Sequence, residues 1–301
     1  MSVTVTNISK YYGKQKALDN VSFSLKKGEV CGFLGPNGAG KSTMMKIITG
    51  FLMEFEGEVT ANTISVRQFP LKAKAIIGYL PEHNPLYPDM YIQEYLQHVA
   101  HLYKTPHSAQ KVDEIMQLTG LIPERKKKIG QLSKGYRQRV GLAQALVHDP
   151  EILILDEPMT GLDPNQLEEI RNLIINIGKD KTVMLSTHVM QEVEAICNRI
   201  IIINQGAIVT DQYKQEIHAG HNHLLIDVRF AGNTKTEWLS ELKDITDIKS
   251  LEPDYFRLTA AMHTDPRIEL FQKAAAHQCP IIELKIEEQN LEEVFKKLTV
   301  K

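Results

Sequence analysis

No stretch of this sequence stays apolar for the roughly eighteen residues that a membrane-crossing helix needs. The opening Met1-Ser2-Val3-Thr4-Val5-Thr6-Asn7 also lacks the apolar core of a secretory signal. Cysteine is scarce: Cys31, Cys197 and Cys279 stand far apart with no paired spacing, which argues against disulfides or a zinc site and for reduced, buried thiols. Net charge is equally scarce. Thirty-five basic residues against 37 acidic ones leave no bulk field to gather nucleic acid. The histidine cluster His218-Ala219-Gly220-His221-Asn222-His223 has no carboxylate or thiol beside it to complete a metal site, so it is read as a polar interdomain linker. The basic run Arg125-Lys126-Lys127-Lys128 is read as a solvated face.

What is present is an ordinary globular composition, 43% apolar and 24% charged, in a chain of 301 residues, long enough for about two domains. The most informative stretch is Gly35-Pro36-Asn37-Gly38-Ala39-Gly40-Lys41-Ser42-Thr43, between the apolar run 29–34 and a helical stretch from Met44 to Thr49. The G-x-x-x-x-G-K-[ST] spacing curls successive backbone N–H groups and a helix N-terminus onto anionic oxygens. Within it Lys41 reaches terminal phosphates and Ser42 faces a magnesium ion. Nucleotide binding follows, and the absence of an Asn-Lys-x-Asp element argues against a GTPase.

The pattern predicts strands near 3–8 and 21–25, the phosphate-loop unit, and a strand over 75–80. A helical stretch then runs from about 92 to 147, broken by Pro106, Pro123 and a loop. Buried strands at 152–155, 182–186 and 200–204, with a helix at 164–177, complete an α/β core with an inserted helical subdomain at about 83–150. After the linker come a strand (224–230), a helix (234–242), a strand pair (245–251, 255–259) turning at Glu252-Pro253-Asp254, a helix (266–277), a strand (280–286) and a closing helix (291–298). That βαββαβ order predicts a small α+β ferredoxin-like domain over 218–301, following a nucleotide-binding domain over 1–217. Trp238 and Phe295 are read as core or dimer packing.

Further motifs follow in order: Leu132-Ser133-Lys134-Gly135-Tyr136, Ile152-Leu153-Ile154-Leu155-Asp156-Glu157, Gly161-Leu162-Asp163 and Ser186-Thr187-His188. As a set they resemble the ATP-binding cassette family, the ATPase subunits of ABC transporters, over roughly residues 1–217. The ending 291–298 looks like the tail of ABC-2 exporter ATPases, and much of the chain resembles gliding-motility-associated ATPases. The resemblance implies a RecA-like cassette that hydrolyses ATP with Mg2+. Tyr12 would stack on adenine, with the phosphates on Gly35, Pro36, Asn37, Gly38, Ala39, Gly40, Lys41, Ser42 and Thr43. Ser42, Asp156 and Glu82 would face the metal, Glu157 would polarise the attacking water, and His188 would contact the γ-phosphate.

Two positions depart from the usual family pattern: Glu82 stands where a Gln is common, and Lys134 and Tyr136 replace the third and fifth residues of the signature. Ser133 and Gly135 are kept. The resemblance places Ser133, Gly135 and Tyr136 against the phosphate loop of a second subunit, with Asp163 at the seam of a homodimer or paired ATPase. It also implies membrane-spanning partner subunits, docked beside Tyr87, Met90 and Tyr91, and a cytoplasmic protein held peripherally at the cell membrane. Two rivals stay open: a soluble ABC ATPase acting as a nucleic-acid or ribosome switch, and a non-hydrolysing regulatory module.

Overall fold

The computed structural model describes residues 1–216, 223–232, 237–261 and 266–287. It comprises two compact units, Met1–Lys214 and Gln215–Lys301. In the first, a six-stranded sheet runs in the order β10 (Ala207–Tyr213), β9 (Arg199–Asn204), β3 (Val30–Leu34), β8 (Thr182–Thr187), β7 (Ile152–Asp156), β6 (Ile77–Leu80). All neighbours are parallel except the edge strand β10. Every residue of β3, β7 and β8 is buried, as expected of parallel strands covered on both faces.

A second, antiparallel sheet orders β2 (Gln15–Leu25), β1 (Val3–Tyr12), β4 (Glu56–Ala61) and β5 (Ile64–Ser65). One apolar core joins both sheets through helix α1 (Lys41–Ile48), whose Met44, Met45, Ile47 and Ile48 are buried with Phe33, Ile154 and Ile201. The helical subdomain holds α3 (Ile92–Leu102), α4 (Ser108–Leu118) and α5 (Lys134–Leu146), as the sequence predicts.

The structure adds elements that periodicity misses: β4, β5, β10, α7 (Met190–Ile196) and α2 (Pro70–Ile76). The strand predicted over 75–80 is shorter than expected because Ala75 and Ile76 close α2, a helix that starts on Pro70 in its first turn, where a missing N–H costs nothing. Helix α6 (Pro164–Gly178) follows the same rule, with Pro164 first and the Asp163 carboxylate accepting from the Gln166 N–H at 3.0 Å as N-cap.

In the second unit, an antiparallel sheet orders β12 (Ile245–Glu252), β13 (Tyr255–Ala261), β11 (His223–Phe230) and β14 (Ile281–Glu287), with α8 (Arg267–Ala276) preceding the last strand. The helix predicted over 234–242 is instead a 3-10 turn, Glu237–Glu241, in its described part. Its Trp238 and Leu239 drop into the core with Phe230, Leu258 and Leu270, which fixes this short segment by burial rather than by helical propensity. His218, His221, Phe295 and the helix predicted over 291–298 lie outside the described residues.

Candidate nucleotide site

The strand order brings the motifs together. β8 lies between β3 and β7, so the C-terminal ends of three adjacent parallel strands deliver the phosphate loop, the 186–188 segment and the two carboxylates to one edge. Register completes the alignment, with Leu34 opposite Thr187 and Asp156 opposite Ser186. Ligands of open α/β sheets bind at this carboxyl edge.

The loop itself fits an anion. Helix α1 begins at Gly40 with no side-chain cap and no acidic residue in its first turn, leaving its N–H groups for an outside acceptor. Gly40 has φ +109°, and a Cβ there would approach the Ala17 carbonyl oxygen to 2.6 Å. Gly40→Ala is therefore expected to cost about 1–3 kcal/mol of backbone strain and to lower both the melting temperature and nucleotide affinity; calorimetry and a fluorescent-nucleotide titration check this. Wild-type behaviour in both would show that the loop does not need this conformation.

Lys41 is buried. Its ammonium donates to the Gly35 and Pro36 carbonyls at 2.7 and 3.3 Å and stands 3.6 Å from the Glu157 carboxylate. Ser42 Oγ donates to Asp156 Oδ1 at 3.2 Å, a hydroxyl and a carboxylate that form the hard-oxygen donor set a magnesium ion takes.

Glu157 is the hub. Thr160 donates to its Oε2 at 2.9 Å, and His188 Nδ1 lies 3.1 Å from both carboxylate oxygens. The Glu157 backbone is left-handed, φ +50°, in a non-glycine residue, and its N–H donates to Ser186 Oγ at 3.0 Å. The same hydroxyl donates to Asp156 Oδ1 at 2.5 Å. Ser186 is thus a linking residue to which the motif reading gave no role of its own: one hydroxyl fixes both the Asp156 carboxylate and the turn that carries Glu157. The signal for it was the register of two neighbouring strands, which a single sequence does not display. Behind it, Thr187 donates to the buried Glu192 at 2.6 Å, and burial pushes the Glu192 carboxyl above its usual range despite that bond.

A cleft of about 430 Å³ is lined by Tyr12, Asn37, Gly38, Gly40, Lys41, Ser42, Thr43, Glu82 and Glu157. Tyr12 is half exposed, leaving a ring face for an aromatic base. Ser133, Gly135, Tyr136 and Asp163 are not in this lining. They form a patch of their own: Ser133 caps α5 by accepting from the Tyr136 N–H, Gly135 abuts the Gln166 amide, and the Lys134 ammonium lies against Gly161. A larger cavity of about 690 Å³ adjoins the cleft, sharing Ser42 and Glu82 as common wall.

A family model described as ABC transporter matches residues 18–160. The linearmycin resistance ATP-binding protein LnrL of Bacillus subtilis is 34% identical over 300 residues, 97% of this chain and 96% of that protein. The chain belongs to the ABC transporter family. It is an ATP-binding subunit of that family and an ATPase. The bacitracin transport ATP-binding protein BcrA of Bacillus licheniformis is 31% identical over 98% of this chain and 96% of its own length. Among solved structures, an ATP-binding subunit of an ABC transporter superposes with TM-score 0.67 at 27% identity, covering 73% of this chain and 93% of that one. The dimeric ATP-binding cassette MJ0796, in a post-hydrolysis state with ADP and Pi, superposes with TM-score 0.64 at 28% identity over 70% of this chain and 98% of that chain. None of those names speaks of gliding motility.

Proposed function

We propose that this ATPase powers export through separate membrane-spanning subunits, closing as a head-to-tail pair over two nucleotides. The observation that supports it best is the split of the motif residues. Lys41, Ser42, Asp156, Glu157 and His188 meet at one sheet edge, while Ser133, Gly135 and Asp163 form a patch outside that cleft, free to complete the cleft of a second copy. The MJ0796 cassette is dimeric, LnrL is named for linearmycin resistance and BcrA for bacitracin transport. A nucleic-acid switch is not favoured by these relatives.

In this reading Ser42, Asp156 and Glu82 would hold a magnesium ion, which would neutralise phosphate charge when bound. The protein's own residues do the rest. The loop amides and Lys41 bind and orient the γ-phosphate, and Glu157 takes a proton from the attacking water. Ser186 keeps the Glu157 turn in place, and His188 bridges Glu157 to the phosphate end of the cleft. Because the chemistry lies wholly before residue 215, the 1–214 fragment is proposed to bind ATP with the affinity of the full chain. Loss of binding by that fragment, if folded by circular dichroism, would refute the division.

No helix among the described residues is long and apolar enough to cross a membrane, so attachment needs a docking surface. Tyr87 and Tyr91 are 58% and 48% exposed on the segment leading into α3, beside the Glu82 loop. Tyr87→Glu with Tyr91→Glu is expected to move the protein from the membrane pellet to the supernatant while isolated-subunit ATPase stays within about twofold, as surface changes away from a core usually allow. Full co-sedimentation of the double variant would remove these tyrosines from the docking surface.

A further inference from the structure

Glu192 is a buried carboxyl outside the lining of the nucleotide cleft. It stands in the first turn of α7, 6% exposed. From there it reaches back to the end of β8: the Val189 N–H donates to Thr187 Oγ1 at 3.1 Å, and the Thr187 hydroxyl donates to Glu192 Oε2 at 2.6 Å. Val189 is the N-cap of α7 and Glu192 its third helical residue, so this is a capping box with one hydroxyl inserted between the carboxylate and the N-cap N–H. The two bonds clamp the residues on either side of His188. His188 itself stays 46% exposed, with Nδ1 3.1 Å from both Glu157 oxygens.

Stability alone does not account for a carboxyl here. A helix cap is worth about 1 kcal/mol, whereas an ionised group taken out of water costs several kcal/mol unless it is well paired. Among the described residues the Glu192 carboxyl has the one hydrogen bond from Thr187 and no ion pair. Burial holds it above its usual range, the Thr187 bond works against that, Glu157 adds to it, and His188 and Arg171 oppose it. Arg171 lies on α6, which packs against α7, and its own Nε is buried without a hydrogen-bond partner. A leucine would fill much the same space with no charge to desolvate. Groups kept at a cost to stability gather where catalysis needs them.

We propose that Glu192 is a positioning residue of the hydrolytic site: through Thr187 it fixes the turn at 187–189, and that turn holds the His188 imidazole on Glu157. The proposal rests on the reading in which Glu157 takes a proton from water and His188 reaches the phosphate end of the cleft. It adds what keeps His188 in place. Without the clamp the backbone of 187–189 relaxes, and a shift of the imidazole by about an ångström is enough to cost up to about 10²-fold in rate.

Steady-state kinetics of the full chain with magnesium and ATP test this, in single variants and in the His188→Ala background. Glu192→Leu is expected to lower kcat by about 10- to 10²-fold, to leave ATP affinity within about twofold, and to keep or raise the melting temperature. Thr187→Val, which exchanges the bonding hydroxyl for a methyl, should lower kcat likewise; Thr187→Ser, which keeps the hydroxyl, should recover it to within a few-fold. In the His188→Ala background, itself slower than wild type, Glu192→Leu and Thr187→Val should cost nothing further, because the side chain they position is gone. If Glu192→Leu does not fold, the two Thr187 variants carry the same test. Losses that recur in full in the His188→Ala background, a Thr187→Ser variant as slow as Thr187→Val, or near-wild-type kcat in the single variants beside a slow His188→Ala overturns the inference and leaves the site reading intact. Wild-type hydrolysis by His188→Ala removes His188 from the site, and the inference falls with it.

Discussion

Glu157→Gln is expected to keep ATP affinity within a few-fold and to lose turnover by about 10²–10⁴-fold, the range for removing a general base. The amide preserves the shape of the side chain and the bond from Thr160, but it cannot accept a proton from water. With hydrolysis blocked, ATP should hold the two-copy state, visible as a dimer by light scattering in ATP and as a monomer in ADP. Phosphate release within about tenfold of wild type would mean that another group activates water. A variant that binds ATP and stays monomeric would defeat the sandwich arrangement and leave the base assignment untouched.

Lys41→Ala is expected to act on both binding and chemistry. Losing a charged donor to the terminal phosphates should weaken ATP by about ten- to a hundredfold and slow turnover by a further 10²–10³-fold, roughly the effect of removing one oxyanion donor. The structure adds a second cost: the buried Glu157 carboxylate loses the cation 3.6 Å away and keeps Thr160 and His188. A double variant with Glu157→Gln separates the two. Recovery of part of the lost affinity in the double variant would assign that part to repulsion from Glu157, and no recovery would assign all of it to the missing ammonium. ADP and ATP titrations by calorimetry give both numbers. Wild-type hydrolysis by Lys41→Ala would overturn the site.

How much of this was legible in the sequence follows from where the information lies. The phosphate loop stood out because its chemistry demands particular residues at fixed spacing within one stretch, Asp156-Glu157 because an apolar strand runs straight into them, and His188 only through the family resemblance. The all-apolar strands β3, β7 and β8 were readable for a local reason too. Ser186 was not, because its task depends on standing opposite Asp156 across two strands 30 residues apart in sequence. Nor was the larger cavity, whose wall is gathered from Ser42, Lys74, Tyr103 and His148. The short antiparallel strands β4 and β5 and the edge strand β10 carry mixed burial, so their alternation is too weak to announce them. The 3-10 turn at Glu237–Glu241 shows the converse: residues that read as helical are bent by the demand to bury Trp238.

Ser42 and Glu82 belong to two cavities at once, so anything that displaces these side chains from one side is felt on the other. Thermodynamic linkage then sets a quantitative rule: the factor by which nucleotide alters the affinity of an occupant of the larger cavity must equal the factor by which that occupant alters nucleotide affinity. A shared wall therefore acts as a two-way valve for free energy. Substitutions at Glu82 should change both factors equally, however they change either affinity alone.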